Sequence, residues 1–111
     1  MHNEAAVILE RLSGLEGVQM VTRGWPKRLG RLPAIALNKA ADMPVDFRDD
    51  GGHITQLEYD VRIFADRAAQ ADALCQAVDA QMEALGYVRT MAYDDDSQQV
   101  RLAVLRYRRF V

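Results

Sequence analysis

The stretch His53-Ile54-Thr55-Gln56-Leu57-Glu58-Tyr59-Asp60-Val61-Arg62-Ile63-Phe64 decides the fold. Leu57, Tyr59, Val61 and Ile63 alternate with Glu58, Asp60 and Arg62, a period of two that buries one face of a strand and wets the other. From Asp66 to Leu85 the period lengthens to helical spacing. Ala71, Leu74, Cys75, Val78, Met82 and Leu85 fall on one stripe, and Gln70, Asp72, Asp79 and Glu83 fall on the opposite one. A sheet packed on a helix follows. Asp66 is placed to cap that helix with its side-chain oxygen, and Gly86 to stop it in the left-handed conformation.

Working outward, Asn3 is placed to cap a first helix with Ala5, Ile8, Leu9 and Leu12 on one stripe, closed by Gly14 or Gly17. Val18 to Thr22 reads as a weak strand, and Arg23-Gly24-Trp25-Pro26 breaks any regular pattern. Pro33 suits the start of the next strand, Ala34 to Lys39, where Ile35 and Leu37 alternate with Ala36 and Asn38. Ala40 to Gly52, with Pro44, Asp49, Asp50 and two glycines, reads as a loop of about a dozen residues, long for a small domain. Beyond the second helix, Tyr87 to Tyr93 and Gln98 to Phe110 form a hairpin around a polar turn from Asp94 to Ser97. In its last strand Val100, Leu102 and Val104 share one face while Leu105 and Tyr107 take the other. That pattern requires a bulge or bend near Leu105, or a second buried face. The expectation is one α+β domain over residues 1–111. It has an antiparallel sheet of about four to five strands and two helices on one face, in the order α-β-β-β-α-β-β.

Half of the 111 residues are apolar, enough for one core that buries roughly two-thirds of the unfolded surface. No apolar stretch approaches the roughly 20 residues that span a bilayer. Met1-His2-Asn3-Glu4 lacks the basic-then-apolar order of a signal peptide, so a soluble chain made in a cytoplasm is expected, away from membranes. The sole cysteine, Cys75, forms no internal disulfide and reads as inert packing. A formal charge of −2 argues against a dedicated nucleic-acid binder, yet the charges are sorted into blocks. Arg23, Lys27, Arg28 and Arg31 surround Trp25. Asp42, Asp46, Asp49, Asp50, Glu58 and Asp60 make an acidic middle relieved by Arg48 and Arg62, Asp94 to Asp96 repeat the acid, and Arg101, Arg106, Arg108 and Arg109 close the chain with base. Two readings stand: a solvated surface clustered by chance, or opposite patches on opposite flanks that dock copies head to tail.

No constellation points to catalysis, to a metal or to a cofactor. His2 and His53 have no second imidazole or thiolate nearby in sequence, and zinc needs three or four convergent ligands. Asp94-Asp95-Asp96 lacks the alternating spacing and closing glutamate of a calcium loop, and neither Ser13 nor Ser97 lies in a nucleophile pattern. Trp25 within its basic block has the ingredients of a seat for an acidic ligand or a single-stranded base; the plainer reading is a surface loop with Trp25 packed on the sheet. Met43, Val45 and Phe47 either carry a contact for another chain or pin their loop to its own core. Arg106 and Arg108, on alternate positions, point to one side of the last strand, toward a partner's carboxylates or phosphates, or else protect an edge.

One resemblance covers nearly the whole chain. It rests on a helix ending Leu12-Ser13-Gly14-Leu15, then Leu32-Pro33-Ala34-Ile35, Tyr59-Asp60-Val61-Arg62-Ile63-Phe64-Ala65, Met82-Glu83-Ala84-Leu85-Gly86-Tyr87 and Arg106-Tyr107-Arg108-Arg109-Phe110. This ordered pattern resembles the tail-completion or tail-terminator proteins that join head to tail in tailed bacteriophages. The resemblance implies an α+β fold, no enzymatic activity and no cofactor. It also implies assembly into a homo-oligomeric ring, commonly of six, that ends the tail tube and meets the head connector. The protein would be made in the bacterial host cytoplasm, from a phage or prophage, and would reside in the virion tail or neck, with at most passing contact with DNA. The charge and loop arguments place subunit or partner contacts on Arg23, Trp25, Lys27, Arg28, Arg31, Met43, Phe47, Arg106, Arg108 and Arg109.

Overall fold

The computed structural model describes residues 4–28, 30–47, 52–95 and 100–111. The elements run α1 (Glu4–Ser13), β1 (Met20–Arg23), β2 (Ala34–Phe47), β3 (His53–Ala65), α2 (Ala68–Ala84), β4 (Val88–Asp95) and β5 (Arg101–Phe110). One five-stranded sheet has the order β1-β2-β3-β5-β4, so the strand with the cleanest alternation sits at its centre. The α+β class and the element order are those the periodicities predict.

Leu57, Tyr59, Val61 and Ile63 of β3 are all buried, and they join Ile35 and Leu37 of β2 and Ala103, Leu105 and Tyr107 of β5 in one cluster. Ala5, Ile8 and Leu12 of α1 and Leu74, Val78 and Met82 of α2 cover it. Leaving each such aliphatic side chain in water would cost about 1.5–3 kcal/mol, which is why the two helices settle on this face. The opposite face holds a smaller cluster of Ala34, Ala36, Phe64, Leu102 and Val104, with Met20, Leu32 and Val100 against it. Leu102 and Val104 therefore face away from Leu105 and Tyr107 without any break in the β3–β5 register. The second buried face, and not a bulge in β5, accounts for the double apolar pattern.

Four features depart from the expectations. β1 pairs with β2 in parallel, from Met20↔Ala34 to Arg23↔Leu37, so the sheet is mixed and not wholly antiparallel. The segment between β1 and β2 is long enough to carry the chain back across the face opposite the helices, where Leu32 joins the second cluster. Secondly, the expected loop from Ala40 is strand: β2 continues to Phe47 and stays paired to β3 down to Phe47↔His53. Register shifts at Lys39/Ala41 and Pro44/Asp46 absorb the break in alternation that made the segment look irregular. Third, Asp66 does not cap α2. Arg67 takes the N-cap position with no side-chain cap bond, while the Asp66 amide donates to Gln70 Oε1 at 3.3 Å. Fourth, β4 reaches Asp95, so Asp94 and Asp95 are strand and not turn. Gly17, not Gly14, takes the positive φ (84°) after α1. The readings of His2, Asn3, Arg48 to Gly51 and Asp96 to Gln98 lie outside the described residues.

The end of α2 follows its sequence closely. Gly86 adopts φ 91°, its amide donates to the Glu83 carbonyl, and the Tyr87 amide donates to the Met82 carbonyl, both at 2.9 Å. This double bond closes the last turn and drops Tyr87 into the core, edge-on to Tyr59 at 6.0 Å between centroids. No described helix is long and apolar enough to cross a membrane.

The division between core and open surface gives a stability contrast. Ile63→Ala, which empties a fully buried site beneath the helices, is expected to cost about 2–5 kcal/mol in urea unfolding. Met43→Ala, on exposed β2, should stay within about 0.5 kcal/mol of the parent. Equal losses at the two positions would contradict this burial pattern.

Candidate assembly interface

The face opposite the helices is built by the alternate residues of the central strands. Register places Glu58, Asp60 and Arg62 of β3 beside Arg108, Arg106 and Val104 of β5, all on this outer face. Arg106 grips Asp60 with two parallel bonds, Nε to Oδ1 at 2.7 Å and Nη2 to Oδ2 at 3.1 Å. This geometry holds the Arg106 guanidinium firmly protonated, chiefly through the hydrogen bonds to Asp60 and then through its charge. Next along β3, the Arg62 guanidinium lies 3.9 Å from the centroid of the Trp25 ring. Trp25 thus stacks back on its own sheet with one face covered, and is still 38% exposed. Arg108 lies over the Phe110 ring at 5.3 Å.

Exposed apolar groups border these charges. Val88, Met91 and Tyr93 of β4, Met43 of β2 and Phe110 of β5 are all exposed, and register puts Met43, Met91, Tyr93 and Phe110 on the outer face. β2 and β3 also run on together past the end of β5: Val111 exchanges backbone bonds with Thr55, and beyond it only β2 pairs with β3 among the described residues. Residues 42–47 with 53–57 form an arm that β5 flanks as far as Gln56↔Phe110, and it is two-stranded only where Asp46 and Phe47 pair with Ile54 and His53.

The residues singled out from the sequence are only partly brought together. Trp25, Met43, Arg106 and Arg108 share the outer face. Arg23, Lys27, Arg28 and Arg31 are exposed on β1 and the segment after it, and no ion pair joins them to a carboxylate among the described residues. Phe47 ends β2, and its side chain lies outside the described set. Arg109 departs from the group: it points to the helix side, 3.4 Å from Glu4 and 5.8 Å from the centre of the Tyr87 ring. Arg106 is not an open contact, because Asp60 already holds it.

The idea of opposed acidic and basic flanks also needs correction. Register lays the acidic Glu58 and Asp60 directly beside Arg108 and Arg106, and Asp60 with Arg106 forms an ion pair, so acid and base meet on one face within one molecule and are not held on opposite flanks. Lys39 with Asp42 at 3.0 Å and Arg89 with Asp79 at 2.7 Å remove further charge in the same way. Among the described residues the basic block around Trp25 has no ion pair with a carboxylate. Arg62, Asp60, Val88, Met91, Tyr93 and Phe110 were the residues sequence reasoning missed; the alternation of β3 already marked Asp60 and Arg62 as facing away from the core.

Cys75 is half-buried on α2, and burial, then the Asp79 carboxylate, raises its thiol to about 11. Burial lifts Tyr107 far above its usual range, reinforced by the bond from its hydroxyl to Asp79 Oδ1 at 2.5 Å. Neither group is poised as a nucleophile at neutral pH. Among the described residues no three His, Cys, Asp or Glu side chains converge as metal ligands. Compared with protein-family models and with curated proteins, the chain matches none.

Two outcomes check this geometry. A double-mutant cycle of Asp60→Asn and Arg106→Gln should give a coupling of about 1 kcal/mol, modest because Arg106 is partly exposed, and a coupling near zero would contradict the paired geometry. Below pH 9, alkylation of Cys75 in the folded chain should run about a hundredfold slower than in the urea-unfolded chain, since the thiol rises from 9.0 to about 11. Equal rates would mean a free, solvent-like thiol.

Proposed function

We propose that this chain is a non-enzymatic virion protein of a phage or prophage that completes or terminates the tail tube and joins it to the head, acting by ring assembly. The observation that carries the reading is the far end of the β2–β3 pair, where Met43 and Val45 are exposed at 47% and 44%. Exposed apolar groups are stabilised by burial against a neighbour, and a contact between this arm and a different surface of the next copy is head-to-tail, the kind that closes into rings. The basic segment around Trp25 supplies the second surface, since among the described residues no carboxylate pairs with it. The whole-chain resemblance to tail-completion and tail-terminator proteins supports the same reading.

Association of free subunits in this scheme is weak, because exposed ion pairs at a wet rim contribute little each. Binding at a tube end is stronger, because the apolar arm becomes buried there as well. Partners are then further copies of the chain, the tail-tube protein and the head connector.

The test uses tail tubes of the phage or prophage carrying the gene, mixed with the purified chain and viewed by electron microscopy. The expected result is a ring seated at one end of each tube, with Met43→Asp/Val45→Asp removing the ring while circular dichroism stays unchanged. Tubes that stay uncapped by the parent chain, together with salt-dependent oligonucleotide binding lost on Trp25→Ala, would overturn the assembly reading.

A further inference from the structure

We infer that β4 is a self-recognising edge, through which two copies of this chain pair antiparallel about a two-fold axis to join their sheets. β4 closes one side of the sheet, and its outer edge has no strand partner among the described residues. An edge of this kind is normally defended by prolines, inward charges or irregularity. The other border of the sheet shows such defences: beyond Leu37, β2 carries Pro44 and two register shifts. β4 shows fewer. From Met91 to Asp95 its register with β5 is regular, it contains no proline, and Val88, Met91 and Tyr93 are exposed at 63%, 38% and 47%.

The occupant is a second β4 because the strand is complementary to its own reverse. Arg89 lies near its start and Asp94 near its end, and the pairs Arg89↔Tyr107 and Asp94↔Ala103 place both on the helix side. Thr90 is the extra residue of the shift between Arg89 and Met91. An antiparallel pairing centred on Ala92 therefore sets Arg89 of each copy against Asp94 of the other. It also sets Met91 against Tyr93 on the outer face, apolar against aromatic. Arg89 keeps its bond to Asp79 through Nη1 and is still 46% exposed. Beside the strand, a groove of about 240 Å³ lined by Cys75, Ala92, Tyr93, Ala103 and Leu105 gives the approaching backbone room on the helix side. A two-fold contact of this kind closes at two copies, so it uses a different surface from the arm and does not rest on the ring reading.

The experiment uses the full chain alone, without tail tubes, so its outcome is independent of whether rings form. In a Cys75→Ser background, Ala92→Cys faces its own counterpart across the two-fold axis, within the range of a disulfide. Under mild oxidation it should form covalent dimers about tenfold or more faster than Glu10→Cys on α1, which serves as the random-collision control. Sedimentation between micromolar and millimolar concentration should show a monomer–dimer equilibrium, shifted to monomer by Met91→Lys/Tyr93→Lys with unchanged far-ultraviolet circular dichroism. A monomer across that range, or Ala92→Cys crosslinking no faster than Glu10→Cys, would overturn the inference. So would Ala92→Cys crosslinking preferentially to Met43→Cys in a mixture, because that would place β4 against β2.

Discussion

Burial of Leu57, Tyr59, Val61 and Ile63 under two helices is the constraint on which the rest of the structure depends. β3 is the central strand, paired to β2 along one side and to β5 along the other, so the orientation of its side chains fixes the orientation of theirs. A slip of one residue would bring Glu58, Asp60 and Arg62 beneath the helices. With the register held, those charges line the outer face, and the basic residues of β5 meet them there. The surface chemistry of the molecule is thus set by the same alternation that builds its core.

This coupling divides the chain by role. Residues facing the helices bear stability, and the outer face combines an internal Asp60–Arg106 pair with uncovered Met43, Met91, Tyr93 and Phe110. The loop after β1 adds positive charge that no carboxylate pairs with among the described residues, and Trp25 fixes that loop to the sheet through Arg62. Two borders are open in different ways: β2 extends into an arm and carries two register shifts, while β4 is regular from Met91 to Asp95 and exposes Val88, Met91 and Tyr93 beside its charges. A chain that works by contacts with other chains has use for such an arrangement, because each open surface is backed by a rigid sheet.

Elements governed by strict periodicity were legible in the sequence. The alternation of β3, the stripe of α2 and the Gly86 stop appear where the residues place them. The parallel β1–β2 pair was not legible, because local pattern in Met20 to Arg23 carries no information about strand direction. The length of the following segment was the available hint. The arm was hidden by Pro44 and by two bulges, each of which shifts alternation by one residue and imitates a loop. Of the interface residues, exposure could be read for Met43 and for the basic block, but the capture of Arg106 by Asp60 depends on the pairing of strands 46 positions apart and has no local signature.

Helices close one face of the sheet, and the opposite face combines a smaller buried cluster with exposed Met43, Met91, Tyr93 and Phe110, the surfaces that the proposed assembly would cover. Hydrogen–deuterium exchange on the free chain and on the tail-bound chain tests it most directly. The account predicts that β3 and β5 are slow to exchange in both states, and that binding newly protects residues 42–47 of the arm and the segment around Trp25. Protection gained over α1 and α2, with the arm unchanged, would contradict it.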